Sequence, residues 1–357
     1  MTKLNLAIIF GGMSSEYEVS QNSAAGVLTN VDKEKYNIYP IGITKDGRWY
    51  LYGDTDWSKV ASGEWLNCAL NRAATISPDR SVHGLLTEDG ERIHIDVIFP
   101  VMHGQYCEDG VIQGLFELSG IPYVGCGVAA SANGMNKIYT KIFADRAGVT
   151  QAKWCSMFAE DYFANEEAET KRIVEALGLP IFVKPASTGS SVGISKVKTA
   201  DELKAAVVDA AQYDLQIIFE EGIVGQEVEV AVLGSLRKQI TSTVGEVLSA
   251  HEFYSYDAKY HNAASKTLIP ARISDEISEE IKKNALIVFN ALGCDGLSRV
   301  DFFVRPNGEV VFNEINTLPG FTNISMYSKL FGHDGISYSE LIDRLVTLAL
   351  EKENYHG

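Results

Sequence analysis

The segment from Ser298 to Thr322, SRVDFFVRPNGEVVFNEINTLPGFT, constrains the fold more than any other, because it reads as a hairpin that gathers carboxylates on one face. Asn307-Gly308 is the dipeptide a two-residue type I′ turn selects, since both central residues need positive φ. With that turn Pro306 faces Glu309, and counting outward sets Phe303 opposite Phe312, Asp301 opposite Glu314 and Arg299 opposite Asn316. Side chains alternate with period two, so Arg299, Asp301, Glu314 and Asn316 share a face. The apolar residues around them (Val300, Phe302, Val304, Val311, Ile315) imply a strand pair buried on its other side. Directly opposed carboxylates stand about 5 Å apart and repel unless a cation joins them. An oxygen-only set of Asp, Glu and Asn suits Mg²⁺, which keeps part of its shell for water and phosphates. Arg299 can instead neutralise one acid in a plain salt-bridged hairpin, and the hairpin alone leaves both readings open.

A chain of 357 residues fits two or three α/β-sized domains. The net charge of −16 argues against nucleic acid as a partner, because phosphate neutralisation needs a basic face. The five cysteines are scattered with no CxxC pair, so a disulfide framework or structural zinc is not expected and a reducing cytoplasm is. The apolar run Leu4–Phe10 is too short for a signal peptide, and no stretch approaches the ~20 apolar residues of a membrane span.

Along the chain, Leu4–Phe10, Tyr36–Ile43 and Ile95–Val101 read as strands and Val19–Val27 and Val111–Leu118 as helices, which predicts a parallel sheet covered by helices. Gly53 to Glu91 reads as irregular. Helices are expected over Met135–Ala147, Asn165–Leu177, Thr199–Tyr213 (with a Thr199/Glu202 capping box), Asp275–Leu292 and after Ser337, with Glu340 completing another box. Strands are expected at Ile181–Val183, Gln216–Glu220 and Glu227–Leu233. The predicted class is α/β (α+β) in three domains: 1–130 a parallel α/β unit, 131–220 an α+β unit, and 221–357 an antiparallel sheet with helices.

Two glycine loops follow strands. Ala186–Gly193, ASTGSSVG, offers a run of backbone N–H groups that can wrap a phosphate or form a plain hairpin tip. It has neither the P-loop nor the GxGxxG spacing. Lys184 just before it supplies a strand-borne ammonium, and Lys137, Lys141 and Lys259 can add charge or lie on the surface. The first loop, GGMSSE, carries Glu16, suited to a substrate ammonium or to solvent, and His103-Gly104 follows a strand expected on the same sheet edge.

Taken together, six segments resemble, in order and spacing, the D-alanine–D-alanine ligases of the ATP-grasp superfamily. They are GGMSSEYEVSQNSA, VMHGQYCEDGVIQGLFELSGIPYVG, FVKPASTGSSVGISKV, FEEGIVGQEVEVAVLG, FYSYDAKY and the Ser298–Thr322 hairpin, and they span the chain. The resemblance implies an ATP-grasp fold and ATP-dependent joining of two D-alanines through an acyl phosphate. Lys137 and Lys184 would hold the ATP phosphates beneath the Ser190-Ser191 loop, with Lys259 at the γ-phosphate. Glu220 and Ile223 would contact adenine, and Glu227 the ribose. Asp301, Glu314 and Asn316 would bind two Mg²⁺ ions, with Mn²⁺ an acceptable substitute. Glu16 would take the ammonium of the first D-alanine, with Ser190 and Tyr260 completing a hydrogen-bonded set and His103 beside the substrate. Arg299 and the Gly320 N–H would stabilise the oxyanion, and Ser325 would hold the second carboxylate. The substrates are small molecules, no nucleic acid or membrane is implied, and a homodimer is expected. The segment His251–Ile269 would close over the site and exclude water.

The chain departs from the family pattern at Cys107, Asn136, Thr188 and Gly222, none of them a metal ligand or phosphate lysine. Tyr17 and the phrase ELSGIPYVGC resemble the vancomycin-resistance ligases that join D-alanine to D-serine, whereas Met326 after Ser325 departs from them, and Lys259-Tyr260 disfavours a D-lactate enzyme. D-alanine is therefore the expected second substrate and D-serine the alternative. The metal reading of the hairpin predicts that Glu314→Gln abolishes ATP turnover without unfolding the chain. ADP release together with the thermal melt checks this, and full activity would return the hairpin to its salt-bridged reading.

Overall fold

The computed structural model describes residues 2–190, 192–235, 238–248, 266–322 and 324–353. Among these the strands form three sheets. The first joins β1 (Leu4–Gly11), β2 (Tyr36–Ile43), β3 (Trp49–Leu51), β4 (Arg72–Ile76), β5 (Gly84–Thr87), β6 (Arg92–His94) and β7 (Val97–Val101) in the order 6-5-4-3-2-1-7. Only β2, β1 and β7 run parallel; β3 to β6 extend the edge antiparallel. The wholly parallel sheet expected from the sequence is thus half right. The stretch read as irregular supplies β4, β5, a short helix Trp57–Ser62 and a turn of 3₁₀ helix. Its two strands are five and four residues long, too short to show an alternating pattern.

The second sheet is antiparallel, built of β8 (Trp154–Phe158), β9 (Ile181–Pro185), β10 (Ser195–Val197) and β11 (Gln216–Glu221) in the order 10-9-11-8. Helices Glu166–Leu177 and Leu203–Ala210 close its apolar face with Ile173, Leu203 and Val207 against Val183 and Phe219. The latter helix is shorter than Thr199–Tyr213, and in place of the expected capping box a bond forms one residue earlier. Glu202 accepts from the Lys198 N–H at 2.7 Å, while the Thr199 hydroxyl caps nothing. The helix read over Met135–Ala147 forms as Lys137–Arg146, and a separate helix, Val128–Met135, precedes it across a break at Asn136.

The third sheet is antiparallel: β12 (Gln226–Ser235), β13 (Lys238–Thr241), β14 (Gly245–Leu248), β15 (Lys266–Leu268), β16 (Gly296–Val304) and β17 (Val310–Asn316). The helix Asp275–Leu292 lies on one face, as its sequence predicts, with Ser274 capping the Ile277 N–H. The helices Met326–His333 and Tyr338–Glu353 pack Tyr327, Leu341 and Leu345 into one core with Leu6, Ile8 and Phe10 of β1 and Ala231 and Leu233 of β12. The chain's last helices thereby bond the first sheet to the third.

The predicted hairpin is β16–β17, and it reaches the expected pairing by an unexpected route. Its loop has three residues, not two. Arg305 pairs with Glu309, Gly308 alone takes positive φ (87°), and Asn307 Oδ1 accepts from the Glu309 N–H. That is a turn with a bulging glycine and not type I′, and it sets Phe302, not Phe303, opposite Phe312. A bulge at Asn313 then inserts one residue into β17 and restores Asp301↔Glu314 and Arg299↔Asn316. The Phe302 and Phe312 rings, edge to face at 5.8 Å and fully buried, fix the hairpin to the core. Phe312→Ala is expected to cost about 3–5 kcal/mol. A urea midpoint shifted at constant slope checks this, and a loss below about 1 kcal/mol would remove the pair as the anchor.

Candidate active site

Loops and strand ends of all three sheets meet at one cleft of about 1050 Å³, its open mouth included. Its cationic wall starts at Asn136, whose side chain accepts from the Ile138 and Tyr139 N–H groups and so begins a helix at Lys137. The Asn136 amide also donates to Ser187 Oγ at 3.0 Å, a bond for which an aspartate has no donor. Lys137 donates to the Thr188 carbonyl in the glycine loop. One turn later Lys141 is buried at 2% exposure with its Nζ 2.5 Å from Glu220 Oε1. Lys184 on β9 pairs with the other oxygen of the same carboxylate. Burial alone would raise the Glu220 carboxyl, but the two ammonium groups outweigh it and hold it down to about 2.

The glycine loop leaves β9 and reaches across to the first sheet. Ser190 takes φ 48°. A Cβ at Gly189 would lie 2.7 Å from Glu16 Oε1, so a larger residue there would push the Glu16 carboxylate aside. Glu16 is buried beside Gly104, and Glu108 folds back onto the Gly104 N–H at 2.7 Å. Burial and the nearby Glu16 carboxylate push the Glu108 carboxyl well above the usual range, favouring its protonated form. The neighbouring Cys107 takes no positive φ, so its side chain is accommodated without backbone strain.

His103 is a strap between sheets. Its Nδ1 lies 3.0 Å from the Leu318 carbonyl and its Nε2 3.2 Å from Ser23 Oγ, while Ser23 accepts from the Phe321 N–H. A carbonyl can only accept, so Nδ1 carries the proton and Nε2 accepts from Ser23. Burial lowers the imidazole to about 4, partly offset by the Leu318 carbonyl.

The third sheet supplies the anionic wall. Register places Glu229 of β12 opposite Asp301 of β16, and Asp301 opposite Glu314 of β17. Three carboxylates thus lie in one row across three strands, with one cation, Arg299, in the next row. Arg299 grips Asp301 with two bonds of 2.8 and 2.7 Å and lies 3.1 Å from Glu229 Oε2. Burial works against that guanidinium, but Asp301, Glu229 and Glu314 keep it firmly charged. Asn316 donates to Asp301 Oδ2 at 3.2 Å. After Arg299 the row keeps two formal negative charges on hard oxygen donors, and Glu314 and Asn316 open on the cleft. The set fits Mg²⁺. Among the described residues no three His, Cys, Asp or Glu side chains gather to hold a metal by themselves, so an ion held here would draw part of its shell from other oxygen donors.

Of the residues singled out in the sequence, Glu16, His103, Lys137, Lys184, Ser190, Glu220, Arg299, Glu314, Asn316 and Gly320 line the cleft. Asp301 lies behind its wall, fully engaged by Arg299 and Asn316. Ser325 stands next to Gly320 but turns its hydroxyl to the Thr322 N–H and hydroxyl. Ile223 and Glu227 are half-buried and lie outside the lining. Ser191, Lys259 and Tyr260 lie outside the described residues. Lys141, read from the sequence as added charge or a surface lysine, also lines the cleft, paired with Glu220; sequence reasoning assigned no role to Glu108 or Glu229. Lys141 follows Lys137 by four residues, the spacing that shares a helix face. Glu229 could be found only by knowing that β12 pairs with β16, and Glu108 carried no separable signal.

Residues 5–126 match the family profile described as D-ala D-ala ligase N-terminus, and residues 143–347 that of its C-terminus. The chain belongs to the D-alanine–D-alanine ligase family. A D-alanine–D-alanine ligase from Acetivibrio thermocellus is 47% identical, covering 99% of this chain and 97% of that protein. One from Caldicellulosiruptor bescii is 46% identical over 99% and 96%. Among solved structures, the VanG D-Ala:D-Ser ligase of Enterococcus faecalis superposes with TM-score 0.89 at 41% identity, over 98% of this chain and 100% of that one. The D-alanine–D-alanine ligase of Coxiella burnetii gives 0.86 at 34% identity, over 99% and 97%. The three-sheet architecture is the ATP-grasp layout, and no described helix is long and apolar enough to cross a membrane.

The neutral strap makes this family member sensitive to acid. Unfolded, His103 would take up a proton near pH 6.5; folded, it resists until about 4. Its contribution is therefore complete above pH 6.5 and lost as pH falls through 4, on the order of 3 kcal/mol when lost entirely. Melting temperatures from pH 7.5 to 4 at fixed ionic strength are expected to fall, and His103→Gln to flatten the slope. An unchanged slope would deny that the strap is neutral and buried.

Proposed function

We propose that the protein is an ATP-dependent ligase that joins two D-alanines through D-alanyl phosphate to supply D-alanyl-D-alanine for peptidoglycan precursors. One observation carries the reading: a single cleft is lined by the lysines paired with Glu220, by Glu314 and Asn316 at the exposed end of a charge-unbalanced carboxylate row, and by buried Glu16. The first suits a polyphosphate, the second a divalent cation, and the third an ammonium group.

In this proposal Lys137 and Lys184 hold the phosphates, with the Ser190-Ser191 loop over them and Lys259 at the γ-phosphate. Lys184 can leave Glu220 for a phosphate because Lys141 remains as its counter-ion. Glu220 and Ile223 are assigned to adenine and Glu227 to ribose. Glu16 takes the ammonium of the first D-alanine, with Ser190 and Tyr260 orienting it. His103 holds the segment that carries Gly320, whose N–H, with Arg299, stabilises the tetrahedral oxyanion. Ser325 takes the second carboxylate. Asp301, Glu314 and Asn316 would hold magnesium, as two ions replaceable by Mn²⁺, which when bound would supply positive charge to offset that of the phosphates. The same proposal keeps boundaries near 130 and 220 and places the enzyme in the cytoplasm as a homodimer. The free cysteines suit a reducing compartment.

D-serine as the second substrate is the other reading, favoured by the likeness to the D-Ala:D-Ser ligase at TM-score 0.89. Against it, Met326 turns into the shared core beside Gly245 and carries no polar group toward a serine hydroxyl. ADP release with D-alanine alone, then with D-serine added and products identified by mass, decides between them. D-Ala-D-Ala is expected to dominate at neutral pH. A dominant D-Ala-D-Ser product would overturn the second-substrate assignment, and no ADP release would overturn the ligase reading.

A further inference from the structure

Arg299 is shared between two carboxylates with different surroundings. Asp301 is shared in turn: the proposed function makes it a metal ligand, yet in this structure both its oxygens are taken by Arg299. A metal ion and a guanidinium that compete for one carboxylate need a second anchor for the guanidinium. Glu229 is the carboxylate placed to be that anchor. It sits directly across β12–β16 from Asp301, is 5% exposed, and brings Oε2 within 3.1 Å of Arg299 Nε. Nothing in the cleft's proposed chemistry uses it, for it does not line the cavity. A buried carboxylate is costly to keep without a partner.

We propose that Glu229 is a positioning residue that retains Arg299 when Asp301 turns to metal, and so sets both the metal affinity of the row and the placement of the guanidinium. With Glu229 present, the arginine's charge is divided and Asp301 can be released. Without it the arginine falls wholly to Asp301, and the row loses one of its two uncompensated charges. Both changes weaken metal binding, so they cannot cancel. The inference rests on the proposed function for the metal and arginine roles.

The test measures Mn²⁺ binding by calorimetry to the full chain with ADP bound, so that it does not depend on turnover. Glu229→Gln is expected to weaken binding roughly ten- to hundredfold, the usual range for a residue that supports a ligand from behind. In the same variant kcat is expected to fall with little change in the KM for D-alanine, because the oxyanion partner is misplaced and the ammonium site is not. A folded variant with unchanged Mn²⁺ affinity would overturn the proposal and leave Glu229 a structural acid. Should Glu229→Gln fail to fold, Glu229→Asp keeps the charge but withdraws it from Arg299. Weaker Mn²⁺ binding at a normal melting temperature is expected there, and unchanged binding would again overturn it. If the wild-type chain releases no ADP with D-alanine, the ligase reading fails while the Mn²⁺ titrations still decide the role of Glu229.

Discussion

The cleft depends on Glu220, a buried carboxylate held by two lysines where one would balance its charge. Removing one partner of a buried pair typically costs about 3–5 kcal/mol, because the other charge is stranded. With a second lysine that penalty does not arise when one lysine leaves. Lys141, sealed in the helix that Asn136 caps, is the permanent partner. Lys184, at the end of β9 and 15% exposed, is the one that the proposed function turns to a phosphate. The excess positive charge is thus prepaid in the fold, and the glycine loop, bound to Lys137 and pressed against Glu16, brings backbone donors to the same place.

The anionic wall follows the same rule with the signs reversed. Glu229, Asp301 and Glu314 outnumber Arg299, and strand register alone brings them into a row. Opposed like charges weaken a sheet, and here the cost falls on strands whose other face is tied down by Phe302, Phe312 and the long helix Asp275–Leu292. The two walls come from different sheets, each carrying its own imbalance, and a ligand with both phosphates and a metal satisfies both at once. Local departures of this kind from a self-balanced core are where a binding site is expected.

Much of this was legible in the chain, and the exceptions have physical reasons. The hairpin's functional register was read from Asn307-Gly308, although the turn has three residues. The misread turn and the unread bulge at Asn313 each shift the pairing by one and cancel at Asp301. Turn chemistry is local and visible, whereas a bulge is paid for by packing on the far side of the sheet. Long amphipathic helices such as Asp275–Leu292 declared themselves, while the short strands β4 to β6 did not. Lys141 was left between added charge and a surface lysine, since a lysine that pairs inside a core has the same sequence signal as one in water. Segments with motif residues identified most of the cleft; they could not show that Asp301 is engaged by Arg299, because that is a matter of which partner is present.

The strap at His103 explains why a cleft between three sheets can keep its geometry at all. The segment 317–321 follows β17, yet its bonds run to the first sheet: Leu318 to His103 and Phe321 to Ser23, with the Phe321 ring edge-on to Phe99 at 5.8 Å. Gly320 therefore takes its position from β7 and the first helix as much as from its own strand. The same two units share one apolar core through the helices Met326–His333 and Tyr338–Glu353. The first and third sheets are in this sense one rigid base that carries Glu16, Gly320 and the carboxylate row. The second sheet has its own core and supplies Lys184 and the glycine loop. A motion that opens the cleft without disturbing its anionic wall would be expected to carry the second sheet, since its separate core lets it move at least cost.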